Sequence, residues 1–129
     1  VQSANDLIMA KMDVRLIVQV IINIVDNAIK YTPVGSEIII SVSKQGDKVL
    51  TQISDNGNGL SQEAKEHIFE MFYTANTKVA DSRRGMGLGL ALCKSIVMAH
   101  SGEITASDNK PQGTIFSFTL PYEEVKIYE

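Results

Sequence analysis

The sequence predicts an α+β fold, a two-layer α/β sandwich in which helices cover one face of a mixed, mostly antiparallel sheet. Three observations lead there. Residues 16–29 repeat apolar side chains at helical spacing, and a second such run covers about 87–99. Ile38, Ile40 and Val42 alternate with Ile39, Ser41 and Ser43, and Val49, Thr51 and Ile53 alternate again after Gln45-Gly46-Asp47, which is the pattern of a hairpin. Two more alternating runs, at 103–107 and 114–120, flank a turn over 109–113.

The elements follow in order. Within a weakly patterned stretch at 1–12, Leu7-Ile8-Met9-Ala10 reads as a short edge strand. Asp13 is placed to cap a helix running to about Lys30, which Pro33 and Gly35 end. The hairpin comes next, then a glycine-punctuated loop from Asp55 to Gly59. Ser61 caps a short helix reaching about Phe69. Residues 74–84 are small and polar without apolar period, a long loop of the kind that usually carries function. The second long helix and the last two strands complete the chain.

With 129 residues, 44% apolar and 21% charged, the chain has the composition of one ordinary globular domain. Its net charge is −3 and it carries no basic stripe, so nucleic acid is not an expected partner. Cys93, the sole cysteine, lies in an apolar helical pattern and reads as a small core residue in a reducing compartment. No apolar run approaches the roughly 20 residues of a membrane span, and no signal-peptide pattern opens the chain. A start at Val1 instead of Met reads as a piece of something longer.

The first helix is apolar almost all round, which predicts a largely buried helix. Ile17, Ile21, Ile24 and Ala28 mark its core face, with Val18, Ile22, Val25 and Ile29 widening it. Yet Asn23, Asn27 and Lys30 share one narrow stripe, flanked by Gln19 and Asp26. Amide oxygens can hold a hard cation such as Mg²⁺, and a lysine can neutralise phosphate. The same stripe also suits a plain solvent-facing edge. Asp55-x-Gly57-x-Gly59 follows a strand. Its carboxylate can accept from an exocyclic amine, its glycines permit positive φ and close approach of a ligand, and the segment is equally good turn chemistry. Phe69 and Phe72 suit core packing or an anchor for the loop that follows. Gly85-x-Gly87-x-Gly89-Leu90 leads into a helix, where exposed N–H groups favour an anion; a flexible hinge is the other reading. It matches neither a dinucleotide fingerprint nor a P-loop. Arg83 and Arg84 precede it, within reach of phosphate oxygens or of water.

In this order the motifs resemble the ATP-binding catalytic domain of bacterial sensor histidine kinases, the Bergerat-type fold shared with gyrase B, the heat-shock chaperone of ninety kilodaltons and the mismatch-repair ATPases. Asn23-x-x-Asp26-Asn27-Ala28-x-Lys30-Tyr31 is similar to the asparagine box, and the Asp55, Phe69–Phe72 and Gly85 motifs are similar to the first glycine, phenylalanine and second glycine boxes. Gly113-Thr114 resembles the start of the family's last strand. His100-Ser101-Gly102 resembles its His-Gly-Gly, with Ser101 in place of a glycine. Met12-Asp13, Gln19-Val20 and Lys30-Tyr31-Thr32-Pro33 look most like the potassium-responsive sensor kinases.

The resemblance implies a single catalytic domain over 1–129 with an ATP lid over about 73–86, and ATP with Mg²⁺ as cofactors. It implies an ATP-binding set of Asn23, Asn27, Lys30, Tyr31, Asp55, Gly57, Gly59, Phe72, Arg83, Arg84, Gly85, Gly87, Leu88, Gly89, Leu90 and Thr114, with Asn27 holding the metal. Asn23, Asp26 and Lys30 would serve transfer. The ATPase relatives carry a glutamate one turn before the metal asparagine; here Asn23 stands there, so the resemblance implies a kinase over a hydrolase. A serine kinase of the anti-sigma type and a nucleotide-binding module without transfer are the alternatives. His67 precedes Ile68 and His100 precedes Ser101, unlike the family's acceptor histidines, which an acidic residue follows; His67 reads as a surface helix residue and His100 as a helix-end residue near the C-terminal dipole. The expectation is a monomeric domain on the cytoplasmic side of a membrane-anchored parent. It would bind ATP, phosphorylate a histidine on a separate dimerisation domain N-terminal to Val1, and supply a response regulator.

Overall fold

In the computed structural model residues 13–71 and 89–122 are described, Tyr31 by its backbone alone. The elements in chain order are α1 (Val14–Tyr31), β1 (Ile38–Gln45), β2 (Lys48–Asp55), α2 (Gln62–His67), α3 (Gly89–Ala99), β3 (Ile104–Asp108) and β4 (Thr114–Pro121). Among the described residues the strands form one sheet in the order β1-β2-β4-β3, with every pairing antiparallel. One core joins α1 and α3 to the inward side of β2 and β4, so the two-layer α+β arrangement holds. The strand expected at Leu7–Ala10 lies outside the described residues. No helix among the described residues is long and apolar enough to cross a membrane.

The central strands explain the core. Val49, Thr51, Ile53 and Asp55 all point inward on β2, and Thr114, Phe116, Phe118 and Leu120 do so on β4. The register sets Val49 opposite Leu120, Thr51 opposite Phe118 and Ile53 opposite Phe116. Both inward rows end at one edge of the core in a buried polar residue, Asp55 and Thr114. β1 reaches β2 through the two-residue turn Gly46-Asp47, where Gly46 takes φ 62°, the positive first position of a type II′ hairpin.

Asp13 caps α1 as expected, its Oδ1 accepting from the Arg15 N–H at 3.1 Å. The expected width of the buried face does not hold. Ile17, Val20, Ile24 and Ala28 are buried, whereas Val18, Ile22 and Ile29 are exposed, Ile29 by 61%. The reason is the layer itself. α1 has the sheet beneath it and α3 along one flank, and no described element covers its other flank. Cys93 of α3 packs against α1, its thiol donating to the Val20 carbonyl at 3.6 Å. Burial pushes that thiol up to about 11, which keeps it neutral and suits the core role read from sequence.

Two histidines sit at helix ends. His67, in the last turn of α2, pairs with Glu70, whose carboxylate raises its pKa, helped by Glu66 and Glu63. His100 ties α3 to α1: Nδ1–H donates to the Ile96 carbonyl at 2.7 Å, and Nε2 accepts the Asp13 N–H at 3.0 Å. It is a cross-brace between helices, beyond the helix-end role expected from sequence.

After His100 the chain closes α3 with a Schellman turn. The Gly102 N–H bonds to the Val97 carbonyl and the Ser101 N–H to the Met98 carbonyl. Ser101 takes φ 62° there, a conformation costly for a residue with a Cβ. Gly102 has no latitude, since a Cβ would lie 1.8 Å from the Thr119 carbonyl oxygen. Ser101→Gly is therefore expected to stabilise the domain by about 0.5–1 kcal/mol, the αL strain relieved less the glycine entropy. Thermal unfolding checks this as a rise in Tm of about 2–5 °C; an unchanged or lowered Tm would contradict the strain assigned to Ser101.

Candidate functional site

Asp55 is 5% exposed, at the end of the inward row of β2. A buried carboxylate needs partners, and Oδ1 has two: it accepts from the Gly57 N–H at 2.9 Å and the Thr114 N–H at 3.3 Å. No hydrogen bond from a described residue reaches Oδ2, and no described buried side-chain polar atom lacks a partner. Oδ2 is thus the oxygen that the described residues leave open to a donor from outside.

The loop behind Asp55 is clamped by the turn between β3 and β4. Asn109 donates its amide to the Asp55 carbonyl at 2.8 Å, and Gln112 to the Asn56 carbonyl at 3.0 Å. Asn56 in turn accepts the Glu37 N–H at 2.7 Å. Gly113 lies against the same backbone at φ 113°, where a Cβ would sit 1.9 Å from the Asp55 carbonyl oxygen. Gly59, at φ 78°, has the positive φ expected of it. Gly57 does not: its missing side chain admits the Thr32 methyl, which a Cβ would meet at 2.5 Å. Thr32 also donates to the Ala28 carbonyl at 2.6 Å, so the Asp55 loop rests on the C-terminal end of α1.

The polar stripe of α1 leads from there to α3. Asn27 is half-buried, and its amide bonds to no described residue. Lys30 reaches Asp26 at 2.8 Å, so these two expected catalytic groups hold each other. Asn23 donates from Nδ2 to the Gly89 carbonyl at 3.4 Å and accepts at Oδ1 from the Gln19 amide at 2.8 Å. Gly89 opens α3, whose first-turn N–H groups have no intrahelical partner. A Cβ on Gly89 would meet nothing within 4 Å, so packing does not demand that glycine. Leu90 turns its side chain into the core, which leaves only its backbone for a ligand. Hence Gly89, Asn23, Asn27, Thr32, Gly57, Asp55 and Thr114 form one continuous run of elements. Phe72, Arg83, Arg84, Gly85, Gly87 and Leu88 lie outside the described residues, and Tyr31 is the last residue of α1.

Residues 12–124 match the family described as histidine kinase-, DNA gyrase B- and HSP90-like ATPase. This chain belongs to that family. Sensor protein KdpD of Clostridium acetobutylicum is 50% identical over 119 residues, covering 92% of this chain and 13% of KdpD. Full-length ShkA, solved in complex with AMPPNP, aligns with TM-score 0.77 at 26% identity, over 94% of this chain and 24% of ShkA. Histidine kinase ThkA, solved in complex with response regulator protein TrrA, aligns with TM-score 0.74 at 30% identity, over 93% of this chain and 32% of ThkA. The chain therefore spans well under half the length of each of these relatives.

A member of this ATPase family needs groups that hold a nucleotide, and the resemblance also implies Mg²⁺. No cluster of three or more His, Cys, Asp or Glu suited to a metal occurs among the described residues. The amide of Asn27, which bonds to no described residue, fits Mg²⁺ all the same, because that ion is commonly held by one or two protein oxygens together with water and substrate phosphates. An apolar groove of about 250 Å³ between the start of α1 and the sheet, lined by Val14, Ile17, Val18 and Val42 among others, has Thr51 as its sole polar side chain and is not the site.

Sequence reasoning did not single out Thr32, Asn109 or Gln112. The fit of Thr32 to Gly57 depends on two segments meeting in space, which no local pattern reports. From the sequence, Gly113 reads as the end of a turn and the start of a strand, with no role at Asp55. Gly113→Ala is expected to cost at least about 2 kcal/mol, from a backbone clash and an unfavourable φ together. Urea unfolding measures this; a loss near zero would show that the Asp55 loop does not need that contact.

Proposed function

We propose that this chain is the ATP-binding catalytic domain of a two-component sensor histidine kinase, binding Mg²⁺-ATP and passing the γ-phosphate to a histidine on a separate dimerisation domain. The observation that carries this reading is Asp55, a buried carboxylate with one oxygen held by two backbone N–H groups and the other open. Such an oxygen accepts the exocyclic amine of adenine, and the fixed Oδ1 holds it in place. Asn27 contributes an amide oxygen to the cation, and Lys30 a positive charge to the phosphates. Gly89 and the glycines before it bring N–H groups to those phosphates. The ion, when bound, neutralises charge on the phosphate oxygens during transfer.

The absence of a carboxylate at Asn23 supports transfer over hydrolysis, since activating water needs a general base. Asp26 beside Asn27 is held by Lys30 and is the nearest candidate for taking the proton of an incoming nucleophile. His100 has both ring nitrogens engaged and serves the fold, consistent with an acceptor histidine on another domain. The AMPPNP bound to ShkA and the regulator bound to ThkA support ATP and a response regulator as partners here. On this reading 1–129 is one domain, about 73–86 is the lid with Arg83 or Arg84 directed to the γ-phosphate, and the domain works on the cytoplasmic side.

Calorimetric titration with AMPPNP, with and without Mg²⁺, tests the assignment. Asp55→Asn keeps an acceptor for the two N–H groups but turns a donor toward adenine. It is expected to weaken binding by about ten- to a hundredfold, the scale of a charged hydrogen bond. Asn27→Ala is expected to abolish the gain in affinity that Mg²⁺ brings. Tight AMPPNP binding by Asp55→Asn would sink the adenine assignment.

A further expectation concerns the Asp26–Lys30 pair. An exposed ion pair contributes about 0.2–1 kcal/mol, so Asp26→Asn, by freeing Lys30 for phosphate, should tighten AMPPNP by up to about fivefold. The same variant should slow transfer to a dimerisation-domain histidine. Weaker binding by Asp26→Asn would mean that Lys30 does not serve the nucleotide.

A further inference from the structure

We propose that Gln19 is a positioning residue for nucleotide binding that acts through the side-chain amide of Asn23; this rests on the ATP site proposed above. Gln19 and Asn23 stand one turn apart on α1, and the Gln19 Nε2 donates to Asn23 Oδ1 at 2.8 Å. Asn23 Nδ2 donates at its other end to the Gly89 carbonyl at 3.4 Å. The two ends of an asparagine amide are nearly alike in shape and opposite in hydrogen bonding. A half-turn of the amide costs little sterically, so its partners decide its orientation. The Gly89 carbonyl can only accept, and the Cys93 thiol of α3 also bonds to Asn23, so the nitrogen faces α3. The bond to Gly89 is long and holds weakly. The shorter bond from Gln19 tethers the oxygen end and keeps the side chain in that pose.

What that orientation secures is the joint between the polar stripe of α1 and the first turn of α3. Gly89 is the first residue of α3, where the N–H groups without an intrahelical partner lie. With Asn23 fixed, the two helices present their phosphate-facing groups at one spacing before a ligand arrives, which lowers the ordering cost of binding. Gln19 is itself exposed and needs no partner for stability. Its bond to Asn23 is its sole hydrogen bond among the described residues, so its effect should run through that amide.

A double-mutant cycle tests this by Mg²⁺-AMPPNP titration of the unmutated chain, Gln19→Met, Asn23→Ala and the double variant. Gln19→Met is expected to weaken binding about three- to tenfold, the scale of one net hydrogen bond, with Tm unchanged. In the Asn23→Ala background the same substitution is expected to change nothing. Equal weakening in both backgrounds, or none in the unmutated one, overturns the proposal. Should Asn23→Ala bind too weakly to complete the cycle, the ¹H–¹⁵N spectrum of the ligand-free chain decides. Gln19→Met is expected to shift the Asn23 side-chain amide signals, and unmoved signals overturn the proposal. Failure of the unmutated chain to bind would overturn the ATP assignment itself, and this proposal with it, a result distinct from binding that ignores Gln19.

Discussion

The carboxylate of Asp55 accepts from the Gly57 and Thr114 N–H groups, and this joint fastens a loop, a strand end and a buried charge to one another. Its position follows from strand geometry. Alternation on β2 sends Val49, Thr51, Ile53 and Asp55 to the same side, and the first three belong to the inward face of the sheet. A carboxylate at the fourth place is carried inward by the same pleat. Burying a charge is costly unless it is hydrogen-bonded, so the surroundings must supply donors. They do so with backbone, which cannot rotate away. Asn109, Gln112 and Gly113 then hold that backbone from behind. A ligand donor meeting the open oxygen finds an acceptor already fixed in place.

α1 meets three environments on its circumference. Ile17, Val20, Ile24 and Ala28 are buried in the core. To one side lies the row of Asn23, Asn27 and Lys30, joined to α3 through Gly89 and to the Asp55 loop through Thr32. To the other lie Val18, Ile22 and Ile29, exposed. The polar row thus runs along the flank where α1 meets other elements, and the exposed apolar row along the flank where no described element stands. That division explains how a helix with so few polar residues carries its chemistry. The few it has sit where α1, α3 and the Asp55 loop converge.

Period and punctuation made most of the fold legible. The hairpin, the caps at Asp13 and Ser61, both long helices and the last two strands all follow from local signals that the structure obeys. Asn23, Asn27, Asp55 and Gly59 were legible as candidates because each breaks a pattern: an amide in an apolar helix, a carboxylate after an inward row, a glycine at positive φ. What stayed hidden depends on contacts between segments distant in sequence. Gly57 was read as room for a ligand, yet its space is taken by Thr32. His100 was read as a helix-end residue, yet it reaches Asp13 across the helical layer. The excess of apolar residues on α1 was read as burial, because composition reports hydrophobicity and not how many layers exist to cover it.

The choice between transfer and hydrolysis turns on Asn23, and the geometry strengthens the case the sequence made. An amide there cannot take a proton from water, and its oxygen is already accepting from Gln19. Asp26 is the carboxylate adjoining Asn27, and Lys30 holds it at 2.8 Å. On the function proposed above, the site orients phosphates and spreads their charge while leaving water unactivated. Phosphoryl transfer asks little else of a protein, provided the nucleophile comes correctly aligned. The chain covers 13% of its relative KdpD, so there is ample protein outside this domain in such a relative to bring one. On this reading the missing base is a safeguard: ATP is held ready and is spent when an acceptor side chain is delivered to it.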